Sequence, residues 1–225
     1  MEETERNLRE KIEQEAKNTL KKTMWEGYAN DILTGLQKNP GVQPDRPIWE
    51  LVQNARDVAY ENKKAKIVFI RKQDHFVFQH NGQPFTRTTL QSLILQTSSK
   101  VREDIIQVGQ YGTGFITTHK FGLDFRLSGS LSLLEGLKFY NFSGRDFIIK
   151  RSAQDKVKLS DDLDATIAKT QQWGLDLNSL EDNPRRETIF EYQHNFNAER
   201  ENAKIAIKEA PKLVPYVLAL NKHIE

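Results

Sequence analysis

The chain has 225 residues, of which 33 are basic and 31 acidic, so its formal net charge at pH 7 is only +2. This balance gives no indication of nucleic-acid or membrane binding. The absence of cysteine excludes disulfides, thiolate metal sites and cysteine nucleophiles. The polar N-terminus is no signal peptide and no apolar run is long enough to span a membrane, so we expect a cytoplasmic protein.

The N-terminal region is predicted to be helical. Its apolar residues recur at helical spacing, which predicts one or two amphipathic helices over 4–37. These residues are Leu8, Ile12, Ala16, Leu20, Met24, Tyr28, Ile32 and Leu36. Prolines then break the pattern, and Asp45 with Pro47 favours the start of another helix that continues to Lys64.

The rest of the chain alternates between strand-like and helix-like segments. We predict strands over 65–71, 75–80, 123–130, 137–144, 145–152 and 187–195. A helix is predicted over 86–96, capped by Thr86 or Thr88. Residues 97–108 and 153–186 are read as polar connections, and the helical tail is expected to be interrupted by Pro211 and Pro215. This order predicts an α+β fold, a mostly antiparallel sheet with helices on one face.

The helix over 48–64 contains three short polar residues in line. Glu50, Asn54 and Asp57 stand at positions i, i+4 and i+7 and form one narrow stripe beside an apolar face. On spacing alone, an ordinary amphipathic helix with a solvated polar edge explains them.

A glycine-rich stretch follows about fifty residues later. Gly109, Gly112 and Gly114 form a G-x-x-G-x-G pattern that is neither a P-loop nor the dinucleotide fingerprint. Glycines allow close backbone approach, and free N–H groups at a helix start can bind phosphate oxygens. The alternative is a flexible turn before a helix.

Two further motifs lie at predicted strands, one directly after a strand and one on a late strand. "HNGQPF" from His80 to Phe85 is a sharp turn after a strand, and Thr188 lies on a late strand. Together with "ELVQNARDVA" and "VGQYGTGF", these motifs resemble the GHKL ATPases over about 45–192. That superfamily includes gyrase, heat-shock chaperones, MutL and MORC proteins and histidine-kinase catalytic domains. The resemblance implies a two-layer α/β sandwich, the Bergerat fold, over 45–194, with helical segments at 1–44 and 195–225.

The resemblance assigns roles to the polar stripe. Glu50 is expected to be the general base that activates the attacking water, and Asn54 to ligate Mg²⁺. Asp57 is expected to order waters near the base, although an ion pair with Arg56 or Lys64 explains it nearly as well.

The remaining nucleotide contacts are also implied by the resemblance. The phosphates would lie on the loop formed by Gly109, Gln110, Tyr111, Gly112, Thr113, Gly114 and Phe115. "TSSK" resembles the lid root of MutL and MORC proteins, so Ser98, Ser99 and Lys100 are phosphate candidates, although a loop lysine is usually just solvated. Thr188 would bond the adenine or a water beside it, but threonine also simply favours strands.

The turn motif departs from the family pattern at its first position. The family has an Asp there, whose carboxylate accepts from the adenine amino group; this chain has His80, followed by Gly82 and by Pro84 in place of the second glycine. A neutral imidazole can accept through one nitrogen in a suitable tautomer. The H-N-G-x-P-F turn resembles the corresponding turn of sacsin-like and bacterial heat-shock-chaperone-like modules.

The expected function is that of an ATP-binding, Mg²⁺-dependent ATPase whose nucleotide state drives a lid or dimer switch. We expect it to be the N-terminal part of a larger machine, with ATP as ligand, a homodimer contact through the N-terminal helix, and a catalytic Lys or Arg supplied by another domain or chain. The alternatives are a nucleotide sensor with little hydrolysis, a histidine-kinase-type transferase and an interaction domain without nucleotide.

Overall fold

The computed structural model describes residues 2–43, 45–61, 64–97 and 113–220, with the side chains of 2–4, 113 and 213–220 left out. The fold is α+β: one antiparallel sheet packs its apolar face against helices. The predicted fold class is therefore confirmed.

The helices and strands follow one another in this order. They are α1 (Glu2–Lys38), α2 (Arg46–Asp57), β1 (Ile67–Arg71), β2 (His75–His80), α3 (Arg87–Leu95), α4 (Thr113–Ile116), β3 (Phe125–Leu133), β4 (Lys138–Phe142), β5 (Ile148–Ile149), α5 (Lys156–Gln171), β6 (Leu180–Glu181), β7 (Thr188–Gln193) and α6 (Asn197–Leu220). Short 3₁₀ turns lie at Asn39–Gly41, Thr117–Phe121, Leu134–Gly136 and Leu177–Ser179.

The strands form a sheet in the order β1-β2-β7-β3-β4-β6, with β5 paired to β3. Each pairing between these strands is antiparallel, and a one-residue parallel bridge joins Phe85 to Leu131. The late strand β7 thus lies between β2 and β3, so its residues stand opposite residues more than a hundred positions earlier in the chain.

One face of the sheet is an aromatic layer. Side chains alternate between the two faces of a strand, so every second residue of β2, β3 and β7 points towards the helices. These inward residues include Phe76, Phe78, Phe125, Leu127, Phe190 and Tyr192, each at most 5% exposed. Leu51 and Ala55 of α2 are fully buried in the same core. Burying a Leu side chain contributes about 2 kcal/mol, so this layer fixes the position of α2 on the sheet.

Several sequence predictions are confirmed. α1 covers the predicted 4–37, β2 has the predicted bounds, and Thr86 caps α3 through a reciprocal pair with Thr89. The tail helix was predicted to break at Pro211 and Pro215, and this is wrong, since α6 runs through both. An interior proline removes one helix hydrogen bond, and α6 continues despite that loss.

The predicted end of α2 is wrong. The helix stops at Asp57 instead of continuing to Lys64. The carbonyl of Val58 accepts from the backbone N–H of Gln83, 2.7 Å away, and the carbonyl of Ala59 accepts from the Gln83 side chain at 3.2 Å. Because the turn after β2 uses these carbonyls, they do not continue the helical hydrogen-bond ladder.

A helix was missed in the polar stretch over 153–186. α5 begins after Asp155, whose side chain accepts from the backbone N–H of Lys158 at 2.9 Å. Its buried residues Leu159, Leu163 and Ile167 recur every four positions. That spacing was a visible helical signal, obscured by the high charge of the surrounding residues.

The N-terminal helix divides into two parts by burial. Residues 5–24 are exposed, whereas Ala29 and Ile32 are buried in the common core and α1 packs against α5. Ala203 and Ala206 of α6 belong to the same core, so both terminal segments contribute to it. Within the described part of the chain, no helix is long and apolar enough to cross a membrane.

Candidate functional site

The polar stripe predicted on α2 is solvated at only one end: Asp57 is exposed, whereas Glu50 is buried. Asp45 and Pro47 start the helix, as the sequence indicated. Glu50 is only 7% exposed, Asn54 is half-buried, and Asp57 is the last helical residue. Glutamate is rarely so deeply buried without a specific reason. Its burial therefore requires a charged partner and distinguishes Glu50 from a freely solvated surface residue.

Glu50 lies directly against the end of the glycine-rich loop. A Cβ atom at Gly114 would lie 2.1 Å from Glu50 Oε2 and 2.6 Å from its Cδ, so no larger residue fits unless the carboxylate moves. Residues 50 and 114 are far apart in sequence, yet the fold brings Gly114, at the start of α4, onto the candidate base. This contact gives Gly114 a steric role beside the predicted phosphate contact.

An arginine that was not singled out from the sequence also contacts Glu50. The Arg46 guanidinium forms an ion pair with Glu50 Oε1 from one helix turn earlier, and the Arg46 side chain is 49% exposed. The i, i+4 spacing of Arg46 and Glu50 was visible in the sequence and could have indicated this pair.

The backbone that follows Gly114 is firmly anchored. The Thr117 hydroxyl donates to the Gly114 carbonyl at 2.7 Å, and the Thr118 hydroxyl donates to the Phe115 carbonyl at 2.7 Å. Tyr192 in turn donates to Thr118 at 2.9 Å. The ring of Phe115, which was a nucleotide-contact candidate, packs on the core aromatics of β3 and β7. Phe115 therefore holds the start of α4 against the sheet.

Part of the predicted phosphate site lies outside the described residues. This concerns Ser98, Ser99, Lys100, Gly109, Gln110, Tyr111 and Gly112, while Thr113 is described as the first residue of α4 without its side chain. The roles given to these residues stay predictions.

The two candidate base-binding residues face each other across two strands. His80 and Thr188 are direct partners in the β2–β7 register and are 5% and 3% exposed. Opposite residues in an antiparallel pair have their side chains on one face, about 5 Å apart. They lie on the face that carries the aromatic core, with the Phe78 ring centroid 5.4 Å from that of His80.

The backbone determines the protonation of His80. The N–H of Gly82 donates to His80 Nδ1 at 3.1 Å, so Nδ1 carries no proton and the neutral ring carries its proton on Nε2. Burial lowers the pKa of His80 from 6.5 to about 4, which keeps the ring neutral at physiological pH. Among the described residues, the Gly82 N–H is the one hydrogen-bond partner of the His80 ring.

The turn after His80 packs on the C-terminal end of α2. A Cβ atom at Gly82 would lie 2.8 Å from the Val58 carbonyl oxygen, so the close approach requires glycine. Glu50 and Val58 are about 12 Å apart along the helix at the usual rise per residue. α2 therefore contacts Gly114 near one end and the His80 turn at the other.

Asp57 shows the alternative role that the sequence left open. Its carboxylate is paired with the Arg56 guanidinium at 2.8 Å. Ordering of waters near Glu50 stays a prediction for this residue.

Asn54 is the candidate magnesium ligand, and this role stays a prediction. It follows Glu50 by one helix turn and is half-buried. In the part of the chain that is described, no group of three or more acidic or histidine side chains is arranged to hold a metal ion. Mg²⁺ often takes one or two protein ligands together with phosphate oxygens and waters, so a single amide oxygen fits its chemistry.

His119, which lies outside the predicted site, has a structural role. His119 is 2% exposed and its Nδ1 lies 2.9 Å from the Leu123 carbonyl oxygen, and burial lowers its pKa to about 3.

No protein-family model matches the chain, and no curated protein matches it at a significant level.

Proposed function

We propose that the chain is an ATP-binding, Mg²⁺-dependent ATPase module of the GHKL type with a Bergerat fold. The convergence of distant motifs on one helix carries this proposal. The buried carboxylate of Glu50 meets Gly114 near one end of α2, while the turn of His80 and Gly82 meets the other end. These are the motifs whose order in the sequence resembles that superfamily.

The proposed chemistry follows from the groups at the Gly114 end. Glu50 accepts a proton from a water while the water oxygen attacks the terminal phosphorus of the nucleotide. The bond from that phosphorus to the bridging oxygen breaks, so the products are ADP, which leaves with the bridging oxygen, and inorganic phosphate. Asn54 holds Mg²⁺, which supplies charge neutralisation on the phosphates when bound. Gly114 leaves room for the Glu50 carboxylate because it has no side chain.

The proposed assembly uses the exposed part of α1. Residues 5–24 are exposed and include Leu8, Ile12, Leu20 and Met24, each more than half exposed. We propose that this segment contacts a second copy in the nucleotide-bound state, and that a partner chain or further domain supplies the catalytic Lys or Arg. A cytoplasmic location belongs to the same proposal.

A second candidate function is nucleotide sensing with little hydrolysis. The ion pair between Arg46 and Glu50 favours it, because the guanidinium occupies Glu50 Oε1, one of the two oxygens that could accept a proton from water. In this reading, nucleotide binding changes the conformation and the phosphates are scarcely hydrolysed.

Calorimetric titration with a non-hydrolysable ATP analogue, with and without Mg²⁺, tests the proposal. We expect Mg²⁺-dependent binding, retained in Glu50→Ala and weakened in Asn54→Ala. Hydrolysis should be lost in Glu50→Ala, since about 10²–10⁴-fold of rate depends on a general base. Wild-type hydrolysis by Glu50→Ala would disprove the base assignment. Binding without measurable turnover in the wild type would favour the sensor.

A further inference from the structure

The exposed half of α1 carries an apolar stripe along one side of the helix. Four large apolar side chains, each 52–64% exposed, recur there at multiples of four positions. They are Leu8, Ile12, Leu20 and Met24. A contiguous apolar row on an otherwise charged helix is typical of an interaction surface.

The stripe points away from the rest of the molecule. At about 100° per residue, Ala16 in the middle of the stripe lies about 160° around the helix from Ile32, which is buried in the core. Lys21, which pairs with Asp164 of α5 at 2.8 Å, lies about 140° around from Ala16. Within the described residues, α1 therefore packs with the face opposite to the stripe.

The stripe is complementary to itself in the reverse direction. Ala16 is its centre, with an apolar residue four and eight positions to either side. If two copies of α1 cross in opposite directions at Ala16, the Ile12 of one copy meets the partner's Leu20. In the same arrangement Leu8 lies beside the partner's Met24. A two-fold interface requires this self-complementarity, and the small Ala16 side chain lets the two helices approach closely.

Charges beside the stripe favour the same direction. Residues 8–15 carry three acidic and two basic side chains, whereas 17–24 carry three lysines and no acid. An antiparallel pair places these unlike halves against each other. Glu13 and Lys17 lie on the same side of the stripe, about 60° and 100° around from Ala16. In the antiparallel pair, Glu13 is only about 3 Å along the axis from the partner's Lys17, so two symmetric ion pairs can form beside the crossing point.

We propose that α1 pairs with the α1 of a second copy in an antiparallel arrangement with Ala16 at the crossing point. The proposal rests on the proposed function for a second copy as the partner, and adds the surface, its direction and its centre. The stripe has far fewer residues than the roughly 20–30 a side of a standard interface. The pairing is therefore weak by itself, as a contact made and broken with nucleotide binding requires.

Disulfide cross-linking of the full chain tests the crossing point. The chain has no cysteine, so a single introduced cysteine can form a disulfide only with a second copy. Helix axes about 8–10 Å apart leave roughly 3.5–5.5 Å between the facing Cα atoms of residue 16, which overlaps the range of disulfides. With Mg²⁺ and a non-hydrolysable ATP analogue, Ala16→Cys should cross-link at least tenfold faster than Asn18→Cys. Asn18 is the matched control, because it is exposed on the same helix but lies about 160° around from Ala16.

Two further measurements test the direction. A mixture of Ile12→Cys and Leu20→Cys chains should form mixed dimers, because either variant alone places its two cysteines about 12 Å apart along the helix. Glu13→Lys should weaken the dimer in sedimentation, and the added change Lys17→Glu should restore it. These residues are exposed in the monomer, and thermal unfolding verifies that each variant is folded.

The outcomes separate this pairing from the proposed function. Equal cross-linking of Ala16→Cys and Asn18→Cys would overturn the pairing, while calorimetric nucleotide binding would leave the ATPase proposal standing. Rapid cross-linking of Ile12→Cys with itself would overturn the antiparallel direction. Cross-linking at residue 16 in a chain that binds no nucleotide would refute the proposed function and support the pairing.

Discussion

Replacement of Gly114 by alanine should uncouple nucleotide binding from hydrolysis. The new Cβ would stand 2.1 Å from Glu50 Oε2, where ordinary contacts begin at 3.4 Å. The Cδ and Oε1 atoms of Glu50, at 2.6 and 3.0 Å, are also too close, so the whole carboxylate must withdraw by about 1 Å or more. Its flexible side chain permits this movement, and the backbone can stay in place.

The main expected effect of Gly114→Ala is a lower rate of ATP hydrolysis. A displacement of about 1 Å in a reacting group costs roughly 100-fold in rate, so turnover by Gly114→Ala should fall about that much. Overpacking next to a movable side chain should cost about 1 kcal/mol of unfolding free energy, the low end for such changes. Nucleotide affinity should change little, because the variant keeps the loop backbone.

Phosphate release, calorimetric titration and thermal unfolding measure these three quantities separately. Gly27→Ala is the matched control, since a Cβ at this glycine of α1 meets nothing within 4 Å. This control should retain wild-type turnover and gain up to about 1 kcal/mol from better helix propensity. If Gly114→Ala hydrolyses ATP at the wild-type rate, the position of the Glu50 carboxylate does not control the chemistry and its assignment as base fails.

Two further predictions concern charge. Arg46→Gln should raise basal hydrolysis several-fold, because the guanidinium no longer occupies Glu50 Oε1, which could then accept from the attacking water; a fall in phosphate release would show instead that Arg46 positions the carboxylate. Acid should destabilise the fold, because burial lowers the pKa values of His80 and His119 to about 4 and about 3, below the 6.5 of an unfolded histidine. The unfolded chain therefore binds more protons below pH 6.5, and each histidine should remove about 2 kcal/mol between pH 7.5 and 5. Denaturant unfolding at both pH values checks this, and equal unfolding free energies would contradict it.

Local patterns predicted much of the secondary structure. The spacing of apolar residues located α1, and alternation located β2, because helix and strand periods are properties of neighbouring residues. The same signal was present in α5 at Leu159, Leu163 and Ile167 but was outweighed by charge. The end of α2 was mispredicted, because it depends on a distant residue. The backbone N–H of Gln83 donates to the Val58 carbonyl, and two strands separate these residues in the sequence.

The sequence by itself determined the fold class, the candidate residues and their order along the chain, because periodicity and residue chemistry are local. Only the tertiary structure decided that Glu50 is buried, that Gly114 lies against its carboxylate and that Thr188 stands opposite His80. These contacts depend on which strands pair and how closely elements approach, which no local pattern encodes. The tautomer of His80 is likewise set by a backbone N–H that the fold brings to its ring.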